Sequence, residues 1–415
     1  MGAGTVVVGA SQAGVQLAVS LRDGGYEEPI TLIDAAPHEP YQRPPLSKDY
    51  LSGEVQVHGL RFRQETYYRA QQIDLVLGSA VTSVRRQGSG GVAVGSDGVE
   101  RSYDRLVIAT GAEPRRLRLP GADLDGILVL RDAEDAGRVK EALDSARDLV
   151  VIGGGFIGLE VASAGRKRGL NVTVLEAAPR IIGRAVGELT SSWFLQAHRA
   201  RGTRVELGVQ LAGFHGNDGK VESVELADGT HVPADIVVVG IGVIPRTGLA
   251  EQLGLAVDNG IVVDQHMLAS DGRTIAIGDV ANVPNPFART ADAMRRMRFE
   301  GVNTAIEQAR SAASTILGSP QPYCAVPWFW SNQGDLRLQM VGLNAGYDDA
   351  IVRGDPESDK FTVLYYRGEM LLGADCINSP VDFMAAKITL NSGRNIRPAS
   401  ATADGPLKAQ IVELV

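Results

Sequence analysis

The chain is 415 residues long, enough at roughly 150 residues per domain for two or three domains with their own cores. Hydrophobic residues make up 44% and charged residues 22%, near the globular averages, which excludes a disordered, fibrous or coiled-coil chain. Lys plus Arg number 41 against 49 Asp plus Glu, a net charge of −8, so a nucleic-acid backbone would meet repulsion. Cys324 and Cys376 are the only cysteines; they supply neither a disulfide scaffold nor zinc-ligand spacing, and no metal site is expected. An apolar strand starts by Thr5, so no secretory leader is expected. No apolar run reaches the ~18 residues that a membrane span needs, and a cytoplasmic protein without membrane contact is the expectation.

The same order of elements is written twice. In the first copy the aliphatic run Thr5-Val6-Val7-Val8 enters Gly9-Ala10-Ser11-Gln12-Ala13-Gly14, a helical pattern stops at Gly24-Gly25, and a strand from Ile30 ends at Asp34. In the second, Leu149-Val150-Val151-Ile152 enters Gly153-Gly154-Gly155-Phe156-Ile157-Gly158, a small-residue helix follows, and a strand from Val172 ends at Glu176. Each copy continues into a stretch with an Asp-Gly turn, Asp97-Gly98 or Asp228-Gly229, the signature of a tight hairpin. A near-continuous aliphatic strand comes next, Leu106 to Thr110-Gly111 or Ile236 to Gly240, as buried parallel strands require. From about Tyr323 the texture turns aromatic and alternating, with a hairpin around Arg367-Gly368. The last helix is expected to open at Ser379 as N-cap with Pro380 in the first helical position. The expected fold class is α/β, with two Rossmann-like dinucleotide-binding domains and a C-terminal α+β domain, an arrangement that resembles glutathione reductase. The first domain is discontinuous, 1–112 and 243–322; the second is 113–242 and the third 323–415.

Each glycine string follows a strand, opens a helix and precedes an acid about 20 residues on, the fingerprint of dinucleotide binding. Glycines let the backbone approach a pyrophosphate, helix N-terminal N–H groups point at it, and the acid accepts ribose hydroxyls. Two such sites imply a flavin and a nicotinamide held face to face. Only the first copy has a continuation, Thr274-Ile275-Ala276-Ile277-Gly278-Asp279, where an acid at a strand end could bond a ribityl hydroxyl. FAD is therefore assigned to the first copy and NADH to the second; Asp279 could equally cap a helix before Val280. A carboxylate at Glu176 about 4 Å from an adenosine 2′-phosphate would cost roughly 4 kcal/mol at an effective dielectric of ~20, about three decades of affinity, so NADH is expected over NADPH. Arg180 and Arg184 leave room for other roles: a phosphate partner, the NADH pyrophosphate, or solvent. Lys48 and Glu160 are the charges expected beside the redox rings, paired with one another, with Glu160 orienting the carboxamide; the bland alternative is a surface lysine and a helix-face glutamate.

Together the segments Tyr41–Lys48 (with RPPLSK), Leu106–Ala112, Val150–Val161, Ala234–Pro245, Thr274–Asp279 and Pro327–Gln333 (PWFWSNQ) resemble the flavin-dependent ferredoxin reductases of oxygenase systems, the putidaredoxin and rubredoxin reductase group. The resemblance implies FAD contacts at Ala13, Asp34, Arg43, Lys48, Val81, Arg131, Asp279 and Val302. It implies nicotinamide contacts at Gly155, Ile157, Glu160 and Glu176, and it places Trp330 at the flavin edge, with core packing as the other use of Trp328-Phe329-Trp330. The first glycine string departs from the pattern in lacking its middle glycine, and Gly301 and Asn332 depart elsewhere. Disulfide reductases of the larger superfamily need cysteine in the loop that here reads Tyr41 to Lys48. Electrons would leave instead one at a time to a small acidic [2Fe–2S] ferredoxin that feeds a cytochrome P450 or Rieske oxygenase. Arg289, Arg295, Arg296 and Arg298, diluted by Asp292 and Glu300, form either its docking patch or a solvated helix face. Competing readings are an NADH oxidase or peroxidase and a redox-signalling flavoprotein resembling apoptosis-inducing factor.

Overall fold

A computed structural model describes residues 2–289 and 294–414, so Asp292 lies outside the described residues. The chain divides into two compact units. The first comprises residues up to Gln42, His58–Glu113 and Ile244–Phe329; the second comprises Arg43–Val57, Pro114–Val243 and Trp330 onward. The segment Arg43–Val57, flanked in sequence by parts of the first unit, thus folds with the unit that holds the second glycine turn.

In the first unit the strands Ile275–Ala276, Arg105–Ile108, Thr5–Val8, Ile30–Ile33 and Ile73–Val76 lie in that order in one sheet, all parallel. Thr5–Val8 is buried along its whole length, as a strand covered on both faces by helices must be. The late strand Ile275–Ala276 pairs with Val107 and Ile108, which returns the chain to this sheet as its Gly278-Asp279 ending suggests. The second unit repeats the plan with Arg204–Leu207, Asn171–Glu176, Asp148–Ile152, Ile236–Val239 and Ile127–Leu128, again all parallel. Both Asp-Gly turns close antiparallel meanders: Gly90–Gly95 with Glu100–Tyr103, and Lys220–Leu226 with His231–Pro233.

The last part of the chain forms a five-stranded sheet in the order Trp328–Gln333, Leu336–Gly342, Met370–Ile377, Lys360–Arg367, Asp349–Asp355. Pro380–Asn391 is helical with Pro in its first turn, but Ser379 makes no side-chain capping bond; its φ of −120° and ψ of 64° lie off the usual extended N-cap geometry. Trp328, Phe329 and Trp330 are all half-buried on the edge strand, so none is a fully buried core residue as one reading expected. The basic run also differs from a helix face. Arg295 and Arg296 are exposed on the strand Met294–Met297, where Arg296 Nη1 donates to the carbonyls of Val263 and Asn282. The Arg298 side chain is only 8% exposed, bonded to Glu300 at 2.7 Å and to the Asp279 carbonyl at 3.1 Å. That guanidinium braces the 278–280 turn instead of facing a partner.

Within the terminal sheet Asp375 is buried, and Tyr365 donates to its Oδ2 at 2.5 Å. The same hydroxyl accepts from the Gly187 N–H at 3.1 Å and lies 3.0 Å from Thr190 Oγ1. Burial pushes the Asp375 carboxyl up from 3.8 to about 6. A carboxyl raised on folding binds its proton more tightly in the native state, so its stabilisation is complete below the unfolded value and is lost as pH rises through 6, about 3 kcal/mol in all at ~1.36 kcal/mol per unit. We expect Asp375→Asn to remove that dependence, so that the variant gains on the wild type in thermal midpoint between pH 5 and pH 8. Parallel midpoint curves over that range would reject the assignment.

Candidate dinucleotide cradles and the Glu160 cluster

Both glycine turns are tight for the same physical reason. Gly9 has φ +111°, and a Cβ there would lie 2.2 Å from the Ala109 carbonyl oxygen; at Gly14 it would lie 2.0 Å from that of Gly9. In the second copy Gly153 has φ +103° with the Gly240 oxygen at 2.5 Å, and a Cβ at Gly158 would meet the Gly153 oxygen at 2.2 Å. These clashes are with backbone and cannot be relieved by a rotamer change. The acids are wired alike. Asp34 accepts from the N–H of Ala10 at 2.6 Å and of Ala36 at 2.9 Å; Glu176 accepts from the N–H of Gly154 at 2.6 Å and of Ala178 at 2.7 Å.

The helices that follow are prepared for an anion. The N-terminal N–H groups of a helix have no intrahelical acceptor, and in most helices a side chain or an acidic first turn answers them. The Ala133–Ser145 helix does so: Asp132 accepts from Asp135 N, and Glu134 and Asp135 follow. Neither cradle helix does. Gln12–Asp23 begins at Ser11 with no side-chain cap and no acid in its first turn, and Phe156–Lys167 begins at Gly155 with neither. At Gly155 a Cβ would find its nearest protein atom 3.9 Å away, so here the glycine keeps space open instead of avoiding a clash. Ser11 stands at the matching position of the first copy. The residues present fit two dinucleotides: glycine turns, uncapped helix starts and an acid at each following strand end.

Around the first cradle, a Cβ at Gly278 (φ +78°) would lie 3.1 Å from the Ala13 Cβ, which seats Asp279 beside the helix start. Asp279 sits inside the short 3-10 turn Gly278–Val280, whose cap position is Ile277, so it does not itself cap a helix. Thr110 Oγ1 donates to the Arg246 carbonyl at 2.8 Å, and the Gly111 carbonyl accepts from Arg246 N at 3.0 Å. Val81 opens the strand Val81–Gln87, two residues after Ser79, whose N–H donates to the Asp34 carbonyl at 3.0 Å. Val302 is the first residue of the Val302–Ile316 helix, and Gln308 on that helix accepts from Gly278 N at 2.7 Å.

Around the second cradle, Ile157 is 38% exposed on the first turn of its helix. Ile182, a β-branched residue, is held at φ +44°, a costly conformation for that side chain, and its N–H donates to the Gly154 carbonyl at 2.8 Å. The strained loop is thereby laid against the glycine turn. It carries Arg180, which donates to the Gly183 carbonyl at 3.1 Å through Nη2, and whose buried Nη1 has no hydrogen-bond acceptor; Arg184 is exposed. An orphaned guanidinium nitrogen beside an uncapped helix suits a phosphate.

Lys48 and Glu160, far apart in sequence, meet in the second unit: Nζ lies 2.8 Å from Glu160 Oε2. Glu160 is 3% exposed, and its carboxylate also accepts from Ser47 Oγ and, at 2.5 Å, from Ser331 Oγ. Lys48 donates in addition to the Pro44 carbonyl at 3.2 Å. The line continues inward: Gln333 Nε2 donates to Ser331 Oγ at 3.2 Å, and Gln333 Oε1 lies 2.7 Å from buried His198 Nε2. Burial lowers the His198 pKa, favouring the neutral ring. Arg43 Nη1 approaches the Arg131 carbonyl at 3.4 Å, bringing together two of the residues that the resemblance marks for FAD. Half-buried Trp330 precedes Ser331 on the edge strand. Ser47, Ser331, Gln333 and His198 are the members that sequence reading missed; Ser47, Ser331 and Gln333 stood inside quoted motifs, yet no spacing rule links the two serines, 113 and 171 positions away, to Glu160.

Two uncapped glycine turns of identical wiring, each on its own parallel sheet, define a pyridine-nucleotide oxidoreductase with a second dinucleotide. The comparisons with known proteins agree in detail. The pyridine nucleotide-disulphide oxidoreductase family matches residues 4–309, and a reductase C-terminal domain matches 328–410; the chain belongs to this family. It is 41% identical to rhodocoxin reductase of Rhodococcus erythropolis over 98% of this chain and 94% of that one. It is 39% identical to putidaredoxin reductase of Pseudomonas putida, over 95% and 93%. Among solved structures, the covalent putidaredoxin reductase–putidaredoxin complex aligns with a TM-score of 0.92 at 39% identity, covering 98% of this chain and 97% of that one. The ferredoxin reductase of Rhodopseudomonas palustris aligns with a TM-score of 0.93 at 38% identity, over 98% and 100%. No helix among the described residues is long and apolar enough to cross a membrane.

Proposed function

We propose that this chain is an FAD-dependent NADH:ferredoxin reductase that supplies electrons to an oxygenase through a small [2Fe–2S] ferredoxin. The observation that supports it most directly is the pair of identically wired glycine turns in one chain, joined to full-length similarity with reductases named for redoxin partners. Bound FAD would supply the step from hydride to single electrons. For FAD, Gly9, Gly14 and the N–H groups after Ser11 receive the pyrophosphate, Asp34 the ribose, and Asp279 the ribityl chain, with Thr110, Gly111, Val81 and Val302 lining the site. For NADH, Gly153, Gly155 and Gly158 receive the pyrophosphate with Arg180 and Arg184, and Ile157 offers an apolar face. Glu160, fixed by three donors, holds the carboxamide, and Lys48 is held by Glu160 at the edge where the hydride arrives. The loop Tyr41–Lys48 offers no thiol, and Cys376 is buried with its thiol pKa pushed up, so a route through a protein disulfide is not available there.

The direct test is to purify the yellow protein and compare NADH-dependent reduction of a [2Fe–2S] ferredoxin, read with cytochrome c, against oxygen consumption. Rapid ferredoxin-dependent turnover with little oxygen uptake is expected; the reverse identifies an oxidase. Two narrower results should follow. Glu176→Ala removes the carboxylate that disfavours a 2′-phosphate and should narrow the NADH/NADPH ratio of kcat/KM by at least tenfold; an unchanged ratio rejects this role. If exposed Arg295 and Arg296 steer an acidic ferredoxin, its KM should climb severalfold from low to physiological ionic strength, and a flat salt profile removes steering from the reading.

A further inference from the structure

The meander of the second unit has two unlike faces. Phe214, Val224 and Val232, aligned across its three strands, are buried in the core. Side chains alternate along a strand, so their neighbours form the outer face. On it His215 stands opposite Ser223 and Glu225 opposite His231. Residues two apart on one strand share a face, which makes His215 and Glu225 diagonal neighbours. The result is a compact group: His215 Nε2 to Glu225 Oε2 at 2.6 Å, and the two imidazole rings with centroids 4.8 Å apart. One ligand atom from each of His215, Glu225 and His231 lies within 4.8 Å of the others.

We propose that His215, Glu225 and His231 form a surface binding site for a divalent transition-metal ion of the zinc type. Two imidazoles and one carboxylate are a donor set that such ions take, with ligand distances of about 2.0–2.2 Å. In a tetrahedral site of that size the ligand atoms are about 3.3 Å apart, so the three side chains close by no more than about 1.5 Å, within the reach of exposed rotamers. The ion takes the place of the contact between His215 and Glu225, at a site whose two histidines are exposed. The site is independent of the dinucleotide cradles, and the sequence hid it because the two histidines are adjacent only once the Asp228-Gly229 turn folds the last strand back.

The experiment uses the untagged yellow holoprotein stripped with chelator and then titrated with Zn²⁺ against a chromophoric competitor, with Co²⁺ as a spectroscopic probe. The expected result is one equivalent bound in the micromolar range and visible Co²⁺ ligand-field bands of low coordination number. His215→Ala, His231→Ala and Glu225→Gln should each weaken Zn²⁺ at least tenfold while flavin content and NADH turnover stay at wild-type values. Absence of saturable binding, or equal binding by the wild type and the His215→Ala/His231→Ala double variant, overturns the proposal. Since all three side chains are at least partly exposed, the variants should fold, and retained flavin colour verifies this in each sample.

Discussion

Glu160→Ala should slow reduction of the bound flavin by NADH on the order of a hundredfold, the scale of loss when a positioning contact near the reacting atoms is removed. Among the described residues the carboxylate is the one charged partner of Lys48, whose side chain is 11% exposed, and it is the acceptor for Ser47 and Ser331. Removing it leaves a nearly buried ammonium without a counter-charge and two hydroxyls without their acceptor, a defect that costs about 3–5 kcal/mol when one member of a buried pair is deleted. A thermal shift and a rate loss should therefore appear together. Glu160→Gln separates them: its amide oxygen can still accept from a serine, so much of the stability returns while the charge does not. Lys48→Ala should also slow the step. Stopped-flow traces in which both alanine variants reduce at the wild-type rate would remove Lys48 and Glu160 from the redox step. Ser331→Ala is the milder probe, expected to raise KM for NADH more than it lowers kcat, because it loosens Glu160 without removing it.

Gly158 and Gly155, the last and the middle glycine of the second cradle, should respond oppositely to the same added methyl group. Gly158→Ala places a carbon 2.2 Å from a backbone carbonyl; turn and helix must part, and we expect loss of soluble protein or a destabilisation of several kcal/mol, the range of overpacked or strained sites. Gly155→Ala meets no protein atom within 3.9 Å. It should leave the thermal midpoint of the NADH-free protein unchanged, or slightly raised because alanine restricts the unfolded chain, while KM for NADH climbs tenfold or more. A normal KM in Gly155→Ala would mean that the pyrophosphate does not cross this glycine. The first cradle already carries serine at the matching place, so its ligand must run over a Cβ there.

What was legible in the sequence follows from what local chemistry encodes. Glycine spacing, buried aliphatic strands and acids at strand ends are short-range signals, and they give both parallel sheets, both hairpin turns and the return of Ile275–Ala276 to the first sheet. Even the Lys48–Glu160 pair could be reasoned out, since two charges near apolar rings need partners. The serines around Glu160 could not: hydroxyls are common and each stands in a motif for no visible reason until the fold supplies a carboxylate. The basic run misled for a related reason. Charge is visible in a string of letters, direction is not, and Arg298 is spent on the Asp279 carbonyl and Glu300.

The bond from Ser331 to Glu160 spans 171 positions, and this has a consequence for biosynthesis. Both nucleotide cradles are encoded well before residue 331, so a nascent chain leaving the ribosome can shape them early. Glu160 by then has Lys48 and Ser47 as donors, and its third, Ser331, arrives only when the terminal sheet emerges. An incomplete polypeptide thus carries both cradles before the hydrogen-bond cluster around Glu160 is complete.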